Sequence, residues 1–422
     1  MVWYAPFRKP KEAPLNRMEN YARLLVRVGI NLQKSQTLVI ASPIDCAEFA
    51  RVAQAEAYRA GAREVVMRWI DEKSAKITYD MAPDAIFDEF PSWAKEFFNG
   101  YADSGAAFLT IHASDPELMK DVDPKRISRL SKARNIALER FRMLQMSNKS
   151  VWCVASVPTP AWATKVFPGV PAAQAVDALW DAIYKAVRVD RDDPVQAWRD
   201  HQAALDLRLA FLNGHAFSAL RYKNGRGTDL TVALPKGHVW WGGGDRYEEG
   251  GYVFVPNMPT EEVFTMPRRD GANGRIVASM PLNHNGNLIE DFWFRLEDGL
   301  VVDFGAGKGA DTLKELLDTD EGARRLGEVA LVPFDSPISN LGILFYNTLF
   351  DENASCHFAL GKAYPTCLSG GTDMDEKALL AAGVNDSLTH VDFMVGSADL
   401  EITGIGPDGA EVPVFRNGNF AF

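Results

Sequence analysis

The chain has 422 residues, is 47% hydrophobic and 24% charged, and carries a formal net charge of −11, the composition of a soluble globular protein with room for two domains of ordinary size. No run of about 18 apolar residues could span a bilayer, and the opening from Met1 to Pro10 has no apolar stretch followed by a small-residue cleavage site, so the expected location is the cytoplasm. The negative charge opposes extended contact with phosphate backbones, and Cys46, Cys153, Cys356 and Cys367 are too scattered for a disulfide framework, which leaves nucleic acid an unexpected partner and the cysteines reduced and buried.

With no internal repeat and no low-complexity segment, the whole chain is expected to fold apart from the first dozen Pro- and Lys-bearing residues. Tyr21, Leu24, Leu25 and Val28 recur at helical spacing and predict a helix ending near Gly29. Thr37 to Ala41 reads as a buried strand. Asp45, with Glu48 three residues on, is the expected N-cap of a helix carrying Phe49, Val52 and Ala53, and Gly61 stops that helix before a strand from Glu64 to Trp69. Ala107 to His112 and Val151 to Val157 read as further strands, separated by helical sequence such as Pro124 to Met146, so a mainly parallel sheet covered by helices is the economical solution. Two helices lead out of this region. One presents Val176, Leu179, Trp180, Ile183 and Val187 on a face; the other is opened by Asp193-Pro194 and closed by Gly214.

Beyond Gly214 the pattern turns to short strands, with Phe217 to Lys223, a turn at Asn224 to Gly227, and alternating Leu230, Val232 and Leu234. The expected fold class is therefore α/β: an N-terminal α/β domain, residues 1–190, with a mainly parallel sheet, and a C-terminal α+β domain, residues 191–422, where the chemistry is concentrated.

The acids and histidines of the second half supply the candidates. In His390-Val391-Asp392 a strand would turn imidazole and carboxylate to one face, although the same triplet also suits a strand-end histidine with a solvated aspartate. Glu352 and His357, five apart, could converge only across a turn. Glu261 and Glu262 follow a turn-like Asn257 to Thr260 and, alone, could be an exposed acidic pair. Glu328 precedes the apolar run Val329 to Val332 and could be a strand edge. Gly305 to Gly309 lacks the spacing and the hydroxyl residue of a phosphate loop and reads as a turn. His112, His201, His215, His238 and His284 have no acid or cysteine at ligand spacing, and no serine-nucleophile elbow is present.

As a set, these residues lie in longer segments. Asn257-Met-Pro-Thr-Glu-Glu-Val-Phe-Thr-Met-Pro267 resembles the signature of the M29 metal-dependent aminopeptidases, and the similarity recurs at Gly327 to Pro333, Phe350 to Gly361, Asn385 to Asp392 and Phe415 to Phe422, with Ala22 to Asp71 similar to the first βαβ unit of that family. The resemblance implies that Glu262, Glu328, Glu352, His357, His390 and Asp392 hold two divalent metal ions, and that Tyr364, seven residues past His357, stands beside them. Glu261 is a candidate general base, provided a local turn brings it inward.

Four carboxylates and two imidazoles without a thiolate suit Zn²⁺, Co²⁺, Mn²⁺ or Mg²⁺. Paired ions of this kind activate a water near neutral pH and polarise a carbonyl, so the expected function is removal of N-terminal residues from peptides that carry a free amine, with Tyr364 stabilising the oxyanion. A two-metal esterase or phosphoesterase and a non-catalytic binding protein are the alternatives. The resemblance further implies a homodimer enclosing its sites in a shared cavity, while composition and charge lead to the expectation of no membrane and no nucleic acid as partner.

Overall fold

A computed structural model of the chain describes residues 16–284 and 287–422; the opening segment expected to lie outside the fold falls outside the described residues. The first layer is a five-stranded, wholly parallel sheet in the spatial order Asn257–Met258, Trp152–Ala155, Ala107–Ile111, Thr37–Pro43, Glu64–Ile70. Its inner strands are nearly continuous apolar runs because helices cover both faces: Leu38, Ile40, Leu109 and Ala155 are fully buried. The opening helix Arg17–Leu24 buries Tyr21, Ala22 and Leu24 and runs on as a π-turn through Leu25–Gly29. Asn257–Met258, from the second half of the sequence, completes the sheet, and Phe254, Val255, Phe345 and Phe350 join its core.

Two helix boundaries differ from expectation. Asp45 does not cap the helix Ala47–Ala60; it lies within a 3₁₀ turn, Ile44–Cys46, and the helix begins without a side-chain cap. The turn itself replaces the cap, since the Ala47 N–H donates to the Ile44 carbonyl and so satisfies one of the orphaned donors of the helix start. The other end behaves as expected, with Gly61 left-handed at φ 99°. The helix Pro194–His215 passes through Gly214 and stops only at Ala216. His215 Nδ1 donates to the Phe211 carbonyl, and its ring lies 4.1 Å from Phe211 and 5.1 Å from Phe217, so aromatic packing carries the helix one residue past the glycine. The helical stretch from Pro124 to Met146 is divided at Leu138 into Pro124–Ala137 and Glu139–Met146.

Among the described residues, the remaining strands form two large antiparallel sheets and two two-stranded ribbons. One of the sheets has eight strands and includes Ala219–Lys223, Asp229–Ala233 and Glu401–Ile405. The other has five, in the order His390–Met394, His357–Gly361, Leu326–Leu331, Val263–Thr265, Trp241–Gly242. An aromatic core fills the space between them: Tyr222 of the first lies 5.0 Å from Phe358 of the second, and Phe294 lies 5.1 Å from Phe393. All four cysteines are buried and unpaired. Among the described residues no helix is long and apolar enough to cross a membrane.

Candidate metal centre

In the five-stranded antiparallel sheet, Val263 and Thr265, Val329 and Leu331, Phe358 and Leu360, and Val391 and Phe393 share the face that packs on the aromatic core, because side chains two apart in a strand point the same way. The opposite face therefore carries Glu328, His357, His390 and Asp392, with Glu262 at the entry of its strand. Glu328 is opposite Ala359, and Ala359 is in turn opposite Asp392, so a single methyl group separates the two carboxylates across three strands. Gly361 faces His390 in the same way; a Cβ there would lie 2.2 Å from the Thr389 carbonyl, and the backbone is left-handed at φ 103°. The close strand approach at both positions admits only small residues.

The polar groups close into two overlapping sets. Glu262, Glu328 and His357 offer ligand atoms within 4.8 Å of one another, and so do Glu328, His390 and Asp392. His357 Nε2 lies 3.1 Å from Glu262 Oε2 and 3.5 Å from Glu328 Oε1; His390 Nε2 lies 3.3 Å from Asp392 Oδ1 and 3.6 Å from Glu328 Oε2. In both rings Nδ1 is engaged elsewhere, donating to the Ser355 carbonyl at 3.0 Å and to the Lys362 carbonyl at 2.7 Å. A backbone carbonyl on one ring nitrogen fixes the tautomer and aims the other as a ligand, the usual support of a metal-binding histidine.

The electrostatics show a centre short of positive charge. Burial, followed by the Glu262 and Asp392 carboxylates, pushes Glu352 well above the ordinary carboxyl range, and burial raises Glu328 against the hydrogen bond from His357. Burial disfavours a charged imidazole, yet the Asp392 carboxylate prevails and brings His390 up to about 10, while Glu262 and Glu328 raise His357 well above its ordinary value. Asp392 is held low by His390 in spite of its burial. Glu262 Oε2 and Asp392 Oδ1 are buried, and the imidazole nitrogens at 3.1 and 3.3 Å leave them without a well-directed hydrogen bond. Buried acceptors left in this way are costly, and divalent cations would satisfy both. The donor set fits such ions.

The remaining predicted residues lie around this core. Glu352 follows the short helix Thr348–Asp351 and stands beside the two sets without being a member of either. The Tyr364 ring lies 5.0 Å from His390, and burial, with the surrounding carboxylates, keeps its hydroxyl protonated far beyond the ordinary range. Glu261 is buried and forms its ion pair with Arg188 at 2.7 Å, with His201 Nε2 lying 3.6 Å away, rather than with the histidines of the cluster. Arg188, His201 and Asn353 were not among the candidates. Each is far from Glu261 in sequence, and no local spacing signals the contact. Trp241, beside the site strands, donates from Nε1 to the Thr366 carbonyl.

Comparison with known proteins places this geometry in context. The sequence pattern of the thermophilic metalloproteases (M29) matches residues 15–420. Aminopeptidase 2 of Geobacillus stearothermophilus is 49% identical over 405 residues, covering 96% of this chain and 98% of that protein. Aminopeptidase T of Thermus aquaticus is 41% identical over 409 residues, 97% and 99% of the two chains. The solved structure of wild-type AmpT from Thermus thermophilus superposes with a TM-score of 0.91 at 40% identity, covering 96% of this chain and 99% of that one.

Proposed function

The chain belongs to the thermophilic metalloprotease (M29) family and is a metal-dependent aminopeptidase; we propose that it releases N-terminal residues from peptides at a centre of two divalent ions held by Glu262, Glu328, Glu352, His357, His390 and Asp392. The observation that carries this reading is the pair of three-residue sets of acids and histidines that share Glu328. Ions bound there would lower the pKa of a coordinated water toward neutrality and polarise the scissile carbonyl.

The chain's own groups supply the rest. His357 and His390 present Nε2 because backbone carbonyls hold Nδ1. Tyr364 keeps its proton and can donate to the oxygen of the carbonyl under attack. The acidic surroundings suit a substrate with a free α-amine. Glu261 would act as general base only on leaving Arg188.

The proposal extends to a cytoplasmic homodimer that encloses its sites, to Zn²⁺, Co²⁺, Mn²⁺ or Mg²⁺ as the ions, and to a division of the chain into residues 1–190 and 191–422. A chelator should abolish hydrolysis of an aminoacyl chromogenic substrate, and Co²⁺ or Zn²⁺ should restore it; full activity in metal-stripped protein would overturn the mechanism. Acetylating the substrate amine should remove turnover, and equal rates on free and blocked peptides would rule out an exopeptidase.

A further inference from the structure

The ligand-bearing segment Thr260 to Glu262 is gripped from behind by a buried polar network. Arg188 meets Glu261 with both terminal nitrogens, Nη1 at 2.7 Å from Oε1 and Nη2 at 3.0 Å from Oε2, and the two side chains are only 12% and 3% exposed. Arg188 Nη2 also donates to His201 Nδ1 at 3.1 Å, which makes His201 Nε2 the protonated nitrogen, and that nitrogen donates to the Thr260 carbonyl at 2.8 Å. On the other side, Asn353 Oδ1 accepts from the Glu261 N–H at 2.7 Å, while its Nδ2 donates to the Leu349 carbonyl at 3.0 Å and to Glu352 Oε1 at 3.4 Å. One side chain thus ties the backbone beside Glu262 to the carboxylate of Glu352.

This arrangement is expensive to maintain. A buried ion pair loses its hydration and often contributes little net stability. Arg188 also adopts left-handed backbone at φ 60°, rare for a residue with a side chain. Trp198 secures it there, with its ring 5.3 Å from the guanidinium and its Nε1 donating to the Val187 carbonyl at 2.7 Å. Neighbouring residues in extended chain point to opposite sides, so holding Glu261 on Arg188 sets the direction of Glu262 toward His357.

Building on the metal reading above, we infer that Arg188, His201 and Asn353 are positioning residues that fix Glu262 and Glu352 for metal binding, with Glu261 acting through Arg188 as their buried counter-ion. The guanidinium places Nη2 on Glu261 Oε2 and on His201 Nδ1 at once, with Nη1 against Oε1, a fork that an ammonium cannot copy, and the neutral imidazole supplies one donor and one acceptor at opposite ends.

The test is a Co²⁺ titration of the metal-stripped full chain, followed by visible absorption, with kcat and KM measured on a free-amine peptide at saturating metal. Arg188→Met should weaken Co²⁺ binding by about 10- to 100-fold, alter the cobalt spectrum, and lower kcat more than it raises KM. Arg188→Lys should recover part of the affinity. The double variant Arg188→Met with Glu261→Gln removes both members of the pair and strands no carboxylate, with Arg208 remaining as the buried cation beside the segment, so it should bind Co²⁺ more tightly than Arg188→Met yet less tightly than the unaltered chain; it also carries the test should the single variant fail to fold. Unaltered affinity and spectrum in either Arg188 variant would overturn the inference. So would a Glu261→Gln protein that binds Co²⁺ normally and is inactive, the behaviour of a general base. An unaltered chain that takes up no Co²⁺ refutes the underlying metal reading, and this shows in the first titration before any variant is made.

Discussion

Glu328 is the residue on which both ligand sets depend. Glu328→Gln keeps the shape and removes a negative charge, so it should lower metal content and activity while leaving the melting temperature of the metal-free protein nearly unchanged. Metal analysis with calorimetry checks this, and normal stoichiometry with a normal rate would remove Glu328 from the centre. His390 and Asp392 extend from one strand face and meet at 3.3 Å. His390→Ala and Asp392→Ala should therefore lose metal alike, and a difference in metal content between them would mean that only one of the two is a ligand. At this scale spacing alone made the sequence readable in pairs, since the period-2 spacing of His390 and Asp392 placed them together; the full set came from the family resemblance, and Glu328 meets the pair through strand pairing.

At the scale of the element, the strand His357–Gly361 does two jobs at once. Phe358 and Leu360 seal the aromatic core, and Ala359 keeps the gap between Glu328 and Asp392 narrow but open. Ala359→Val adds two methyl groups to a fully buried position between the carboxylates. It should cost about 1–3 kcal/mol of stability through overpacking and reduce metal affinity by about tenfold or more by spreading the ligands. Denaturant unfolding and metal titration read the two effects separately, and a variant that loses stability yet binds metal normally would show that the spacing tolerates displacement. This strand is buried along its whole length, so no apolar–polar alternation marks it in the sequence. Its partners are not marked either, because pairing depends on which segments the turns return to the same edge.

For the molecule as a whole, the proposed homodimer with enclosed sites predicts a dimer by light scattering at micromolar concentration, turnover of short unblocked peptides, and negligible trimming of a folded protein with a structured N-terminus. Enclosure would also limit the water around the reacting groups. A fully active monomer would refute the shared cavity and leave the metal assignment standing.

Periodicity and turn chemistry by themselves determined the parallel α/β layer, the change to short strands after Gly214, and the helix ends at Gly29, Gly61 and Asp193, because these follow from contacts within a few residues. The resemblance to the M29 segments, rather than any local spacing, implied the set of candidate acids and histidines. Only the tertiary structure decided that Gly214 would be overrun, since His215 finds its partners in Phe211 and Phe217; that Asn257–Met258 would cross over to finish the first sheet; and that Glu261 would pair with Arg188 rather than join the cluster. Each of these outcomes is set by groups brought together from distant parts of the chain, and the free energy of a contact across 73 positions, as between Arg188 and Glu261, leaves no mark on the local pattern of either residue.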